Sequence, residues 1–237
     1  MQSWVKLTAI FAGLGVVGWA AWDFTHPAPE TNPIVATGEN TVSVLPFSTL
    51  SNVNDLPLGW VHDQFWMVKT MQLSQGEKLG KPALKCETNS SGSILSRTTD
   101  IEVGDYPILV WDWLIDFPLS SPIDEATPEG DDHPARLLLD LQDRAGDAYS
   151  FELIWSNRRF EAGDIFAING FSHYVVNGLD ENAKVWQHQE VDLMQVYRQI
   201  TGRDDYPILK RIAIMCDSES TNARSAAFFS DVVLRVR

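Results

Sequence analysis

Beyond residue 40 the chain is a succession of short apolar or alternating runs separated by turn residues, and no other feature limits its fold so severely. The runs are Thr41–Phe47, Phe65–Leu73, Ala83–Thr88, Ser93–Thr99, Ile108–Ile115, Ala135–Leu141, Ala148–Trp155, His173–Asn177, Val185–Val191, Ile208–Cys216 and Ala226–Val236. Their lengths suit strands and fall short of ordinary helices. One stretch alone has helical spacing: Leu193, Val196, Tyr197 and Ile200 share a face between Asp192, a capping residue, and Gly202, a stop signal. Many strands, one short helix and no β-α-β alternation predict a mainly β chain built as an antiparallel β-sandwich or jelly roll.

The amino-terminal stretch follows different rules. From Leu7 to Trp22 there is no charged residue, and Trp4 and Val5 extend the apolar character past Lys6. That length crosses a bilayer, which takes roughly 17–25 apolar residues. Lys6 is placed to snorkel, and Trp4, Trp19 and Trp22 suit the aromatic belts. After Trp22 come Asp23, Glu30 and Glu39, with no Lys or Arg before Lys69, so the charge bias exports the body. Residues 1–23 are therefore expected to form an uncleaved single-pass anchor. The alternative, a cleaved signal peptide, would put bulky Trp19 where a small side chain is required.

The segment Gly13-Leu14-Gly15-Val16-Val17-Gly18 matches a dinucleotide fingerprint letter for letter, but it lies inside the apolar span and lacks the strand and amphipathic helix that the motif needs. Ala9 and Gly13, four apart, offer a small-residue face to another membrane helix. Residues 24–40, rich in Pro, Thr, Asn and Gly, have linker composition, which leaves 41–237 as the sandwich domain.

Charge and composition exclude several functions. With 32 acidic against 18 basic side chains the net charge is −14, which argues against nucleic acid as a partner. Nine Trp residues and 44% hydrophobic content exclude a disordered chain. Cys86 and Cys216 each sit in an apolar, strand-like run. Two buried thiols are the first expectation, and a disulfide, which would persist outside the cytoplasm, is the alternative.

Candidate site residues cluster in four places. Between Asp100 and Asp132 lie ten acidic residues and no Lys or Arg, a field that suits a hard cation or a basic partner, or simply a solvated loop. Asp131-Asp132-His133-Pro134-Ala135-Arg136 leads into the strand, where Arg136 and Asp140 share the side of Leu138. Such an arginine needs a carboxylate: Asp131, Asp132 or Asp112 would serve, as a structural clamp or a substrate contact. Trp111 and Trp113 share a strand face, as do Phe151, Leu153 and Trp155. Exposed, these indoles would stack on sugar rings; buried, they are core. Finally, Asp217, Glu219 and Asn222 follow an apolar strand and offer oxygens to a structural calcium ion. The loop is no EF-hand, because Phe228 stands at the twelfth position, and a turn bonded to its own backbone is the competing reading.

No G-x-S-x-G, H-E-x-x-H, P-loop or zinc-spaced cysteine pair is present. His62, His133, His173 and His188 are scattered along the chain, and sequence does not reveal whether they meet in space.

The order of landmarks from about Phe47 onward resembles the bacterial domain-of-unknown-function family number 3047. The likeness rests on LPLGW at Leu56–Trp60, SGSILSR at Ser91–Arg97, PILVWDW at Pro107–Trp113, GDDHPARLLL at Gly130–Leu139, FELIWSN at Phe151–Asn157 and the segment Ile212–Leu234. The resemblance implies a jelly-roll-like sandwich, similar to carbohydrate-binding modules, in usually exported proteins, with no established activity. It directs attention to Asp131, Asp132, Arg136, Asp217 and Glu219, the last occupying a position where family members commonly carry Asp.

Together these features predict a noncatalytic domain on the periplasmic side of a bacterial inner membrane. It is tethered by residues 4–22 and binds a glycan or another extracytoplasmic ligand. The second reading is an accessory subunit of an integral-membrane assembly, and the third a cell-envelope hydrolase. No cofactor is expected beyond the calcium just named.

Overall fold

The computed structural model describes residues 32–237. The anchor expected at 1–23 and the start of the linker lie outside the described residues. Among the described residues no helix is long and apolar enough to cross a membrane.

Two sheets form, with strands numbered in chain order. The first runs β1 (Ile34–Val35), β6 (Gly92–Glu102), β13 (Ile208–Asp217), β8 (Arg136–Gln142), β9 (Ala148–Ser156), β11 (Phe171–Gly178) and β10 (Ile165–Ile168); β3 (Trp60–Gln64) also pairs with β6. The second runs β2 (Thr41–Leu45), β15 (Val232–Arg235), β7 (Ile108–Phe117), β14 (Arg224–Phe229), β5 (Lys81–Asn89) and β4 (Gln72–Lys78), and β12 (Gln187–Asp192) pairs with β7. Pairing is antiparallel except for β1 with β6 and β9 with β11, which are parallel. The mainly β sandwich arrangement agrees with the strand-length reading of the sequence.

The helix α1 (Leu193–Thr201) forms where its spacing places it. Asp192 caps it by accepting a 3.1 Å hydrogen bond from the Gln195 amide, and Gly202 ends it at φ 70°. Leu193, Val196 and Tyr197 are buried against the core.

Three local readings change. Phe65–Leu73 is not one strand: Phe65 to Val68 form a turn, with Met67 at φ 66°, and β4 begins only at Gln72. The run Ala226–Val236 is broken between β14 and β15, because the Asp231 carboxylate is drawn to the Ser48 amide and hydroxyl at 2.7 and 2.6 Å. Residues 32–40, placed in the linker by composition, run along the body: β1 pairs with Thr99 and Asp100, and the Asn32 carbonyl accepts from Arg97 at 2.7 Å. A two-residue strand is too short for periodicity to reveal.

The core lies between the sheets and contains Trp111, Trp113, Trp155, Phe151 and Phe229, each at most 1% exposed. Trp113 meets Trp111 edge-on at 5.2 Å and Trp155 at 5.9 Å between ring centroids, the geometry that aromatic quadrupoles favour. Burial of each large side chain contributes about 1.5–3 kcal/mol.

The cysteines correct the expectation of free thiols. Cys86 on β5 and Cys216 on β13 are joined by a disulfide that bridges the two sheets, with Cα atoms 6.5 Å apart. Apolar flanks told that each sulfur is inside; only the stacking of the sheets decides that they meet. The bridge closes a separation of 130 residues, and a native disulfide of this kind contributes about 2–5 kcal/mol. A Cys86→Ala/Cys216→Ala protein is therefore expected to lose stability of that order in urea unfolding, and the parent to lose the same amount once reduced.

Candidate functional site

Along β9 the side chains alternate. Phe151, Leu153 and Trp155 enter the core between the sheets, while Glu152 points to the opposite, outer face of the first sheet. Cross-strand register places Glu152 beside Leu138 of β8 and His173 of β11, so Arg136, Glu152 and His173 occupy one outer face. Segment 118–135 folds over that face and brings Glu125, Asp131, Asp132 and His133 onto it.

Arg136 is fully buried and every one of its five N–H donors has an acceptor. Nε and Nη2 grip the two carboxylate oxygens of Asp217, Nε at 3.0 Å. Nη1 donates to Glu152 Oε2 at 2.7 Å and to Asp131 Oδ1 at 3.0 Å, and Nη2 to the Asp131 carbonyl at 2.7 Å. Burial opposes the charge, but Asp217, Glu152 and Asp131 outweigh it and hold the guanidinium protonated far above the usual range. Asp131 in turn is also desolvated, yet Arg136 and His173 keep its carboxyl well below the usual carboxylate range.

Both imidazoles on this face are wholly buried. His133 Nδ1 faces the Trp155 carbonyl at 3.2 Å, and His173 Nδ1 the Phe171 carbonyl at 3.2 Å. Burial first, and Arg136 next, hold His133 neutral with its pKa far below the ordinary value. Phe166 stacks on His173 at 4.8 Å and Phe160 on Phe166 at 4.2 Å, an aromatic cover that excludes water.

Asp132 serves a different purpose from the one its neighbour serves. Its carboxylate accepts from the Ser220 and Thr221 amides at 3.3 and 2.6 Å and from the Thr221 hydroxyl at 2.6 Å, and so folds the 217–222 turn. Glu125 accepts from the amides of Asn157, Arg158 and Arg159 and from the Ser156 hydroxyl, which fixes the bend after β9. A pocket of about 150 Å³ lies beside it, lined by Leu119, Ile123, Gly130 and Arg158 among others.

The structure sorts the sequence candidates as follows. Asp131 and Arg136 meet as a clamp, completed by Glu152 and Asp217. Asp112 is elsewhere, on the second sheet with Lys81 and His188. Trp111, Trp113 and Trp155 lie in the core, where no indole face is open to a ligand. Asp217 and Glu219 converge with Asp132, whereas Asn222 is exposed. In that trio the oxygens of Asp132 and Asp217 already accept from amides and Arg136, and only Glu219 Oε2 lacks a partner among the described residues. Gly92 makes room for it, since a Cβ there would sit 2.7 Å from Glu219 Oε2. The sequence reading missed Glu125 and Glu152. Glu152 alternates with large apolar residues on β9, and this was the one available signal.

Residues 59–233 match the family described as "Protein of unknown function (DUF3047)". The chain belongs to that family. No curated protein matches the sequence of this DUF3047 member. Solved structures with a similar course include the family 30 carbohydrate-binding module of the cellulosomal cellulase Cel9D-Cel44B of Clostridium thermocellum, at 11% identity and a TM-score of 0.39, covering 77% of this chain and 94% of that one. The xyloglucanase domain of NopAA, a type three effector from Sinorhizobium fredii, gives 8% identity and 0.41, covering 77% and 95%. The enzymatically active domain of Bacteriophage CBA120 tailspike protein 4 gives 8% and 0.39, covering 76% of this chain but only 19% of that one. Likeness at this level says nothing about what the DUF3047 domain binds.

Removing Arg136 strands three buried carboxylates, which costs about 3–5 kcal/mol. Arg136→Met is expected to lose that much in urea unfolding, and Arg136→Lys to recover little, because an ammonium lacks the planar fork.

Glu219 supplies a pH test. Burial, and then the Asp132 charge, push its carboxyl up to about 7 from an ordinary 4.5. The folded state thus binds the extra proton, so this contribution is complete below about 4.5 and is lost as pH rises through 7, by about 3 kcal/mol. Glu219→Gln stays neutral throughout and is expected to gain on the parent by that amount between pH 4 and pH 8, read from denaturant unfolding at each pH.

Proposed function

We propose that this protein is a noncatalytic glycan-binding sandwich, tethered to the inner membrane by residues 4–22 and facing the periplasm. The observation that carries the binding reading is Trp66. It stands 79% exposed at the tip of the turn after β3, beside Met67 at 84%. Adjacent in the chain, they make an exposed apolar patch, the kind of surface that marks an interaction site. Its neighbour Phe65 packs with Phe171 over Ile94, Leu138 and Met215 on the outer face of the first sheet. Along the same face runs a half-buried polar row. Arg211 Nε donates to Asp140 at 2.7 Å, Ser150 donates to Asp140 at 2.6 Å, and Asp63 stands 3.8 Å from Arg211.

An exposed indole three residues beyond Asp63 of this row, together with its planar, partly wet carboxylate and guanidinium groups, suits a sugar, which presents an apolar C–H face and a rim of hydroxyls. This surface replaces the core indoles as the platform. The Cys86–Cys216 disulfide supports export, because such bonds persist in oxidising compartments. The apolar amino-terminal stretch supports the tether, and the lack of Lys or Arg between Trp22 and Lys69 supports its outward orientation.

The full chain in detergent is expected to bind members of a bacterial envelope glycan array. Trp66→Ala is expected to weaken binding by about tenfold or more, the loss of roughly 1.5 kcal/mol of aromatic contact. A reporter fused at Arg237 is expected to be active in the periplasm. Absence of glycan binding, with a membrane protein copurifying in its place, would favour the accessory-subunit reading.

A further inference from the structure

The two buried histidines on the outer face pose a problem of unshared protons. A backbone carbonyl only accepts, so the Trp155 and Phe171 carbonyls each take a proton from the Nδ1 facing them. His133, held neutral, is left with a bare lone pair on Nε2. The Nε2 atoms of both rings converge on the same carboxylate oxygen, which His173 Nε2 meets at hydrogen-bond distance. Asp131 Oδ1 is 3.2 Å from His173 Nε2 and 3.8 Å from His133 Nε2, and the three atoms lie within 4.8 Å of one another. His133 Nε2 has no hydrogen-bond partner among the described residues although its side chain is fully buried. Asp131 Oδ1 also accepts from Arg136 Nη1 at 3.0 Å, but the buried His133 Nε2 lone pair faces an anionic oxygen in a dry site with nothing to satisfy it, which calls for a positive centre beside it.

We propose that Asp131 Oδ1, His133 Nε2 and His173 Nε2 bind a divalent transition-metal ion of the zinc class. Two imidazoles and one carboxylate suit zinc, iron or nickel, whereas calcium and magnesium take oxygen ligands. The separations of 3.2 and 3.8 Å bracket the roughly 3.4 Å between neighbouring tetrahedral ligands of an ion with metal–ligand bonds of about 2.0–2.2 Å. Each histidine already has the orienting support that ligands require, its other nitrogen donating to a carbonyl. The ion would pin segment 118–135 to β11, joining parts of the chain that have no backbone pairing with each other.

The test starts from the full-length protein in detergent, stripped with a chelator and titrated with Zn²⁺ and with Co²⁺. The expected result is one equivalent bound per chain, a rise in unfolding temperature, and Co²⁺ visible absorption of nitrogen and oxygen ligation. His133→Asn retains a donor for the Trp155 carbonyl and lacks the ligand nitrogen, so it is expected to fold and to bind metal at least a hundredfold more weakly. If that variant does not fold, imidazole ¹⁵N shifts of the parent decide. Metal-dependent movement of both Nε2 signals supports the site. A chain that takes up neither ion and shows an imidazolium at position 173 overturns it, since a proton would then be the positive centre. Glycan binding through Trp66 is measured separately, so failure of either proposal leaves the other intact.

Discussion

A single guanidinium holds the outer face of the first sheet together. Arg136 sits where a strand facing water would carry a small polar residue, but segment 118–135 covers it, and no solvent remains to satisfy its charge. Each of its five donors is therefore matched to Asp217, Glu152 or Asp131. Those carboxylates come from a loop, from β9 and from the end of β13, so one side chain fixes the relative positions of three distant parts of the chain. Such a pair contributes more to which structure forms than to how stable it is, because desolvation consumes most of the attraction.

From that arrangement the other features of the face follow. Asp131, fixed by Arg136, gives His133 and His173 a common focus. Asp132, one residue further, turns the other way and folds the 217–222 loop through amides and a hydroxyl. The acidic run that looked like a uniform field thus divides. Glu125, Asp131 and Asp132 are internal supports, while Asp124 stays exposed and pairs with Arg159. The sandwich buries two layers of different character. Indoles and aliphatics fill the space between the sheets, and ionised, hydrogen-bonded groups lie beneath the segment folded over the first sheet. The polar row around Arg211 stays half-buried on that same face.

Much of this was legible beforehand, and the reasons are local. α1 was readable because capping and a 3.6-residue period are properties of nearest neighbours, and Asp192 and Gly202 do what their chemistry predicts. The Trp-x-Trp strand and the Phe151, Leu153, Trp155 alternation correctly gave faces, but a period of two does not say which face is inside. The clamp was half legible: an arginine at the head of the strand LLLDL announces a buried partner, and Asp131 lies close in sequence. Glu152 and Asp217 were out of reach because they stand 16 and 81 positions away. The turn at Trp66 was misread as strand, since an apolar run ordinarily marks burial.

The sequence alone determined the class of fold, the helix and the family, because strand length, turn chemistry and side-chain period are set by contacts along the chain. Tertiary structure alone decided that Cys86 meets Cys216, that the conspicuous tryptophans are core, and that two distant histidines share a focus with Asp131. These are facts about which strands stack and which segment covers them. Burial, by removing water, is what turns scattered ionisable groups into a site.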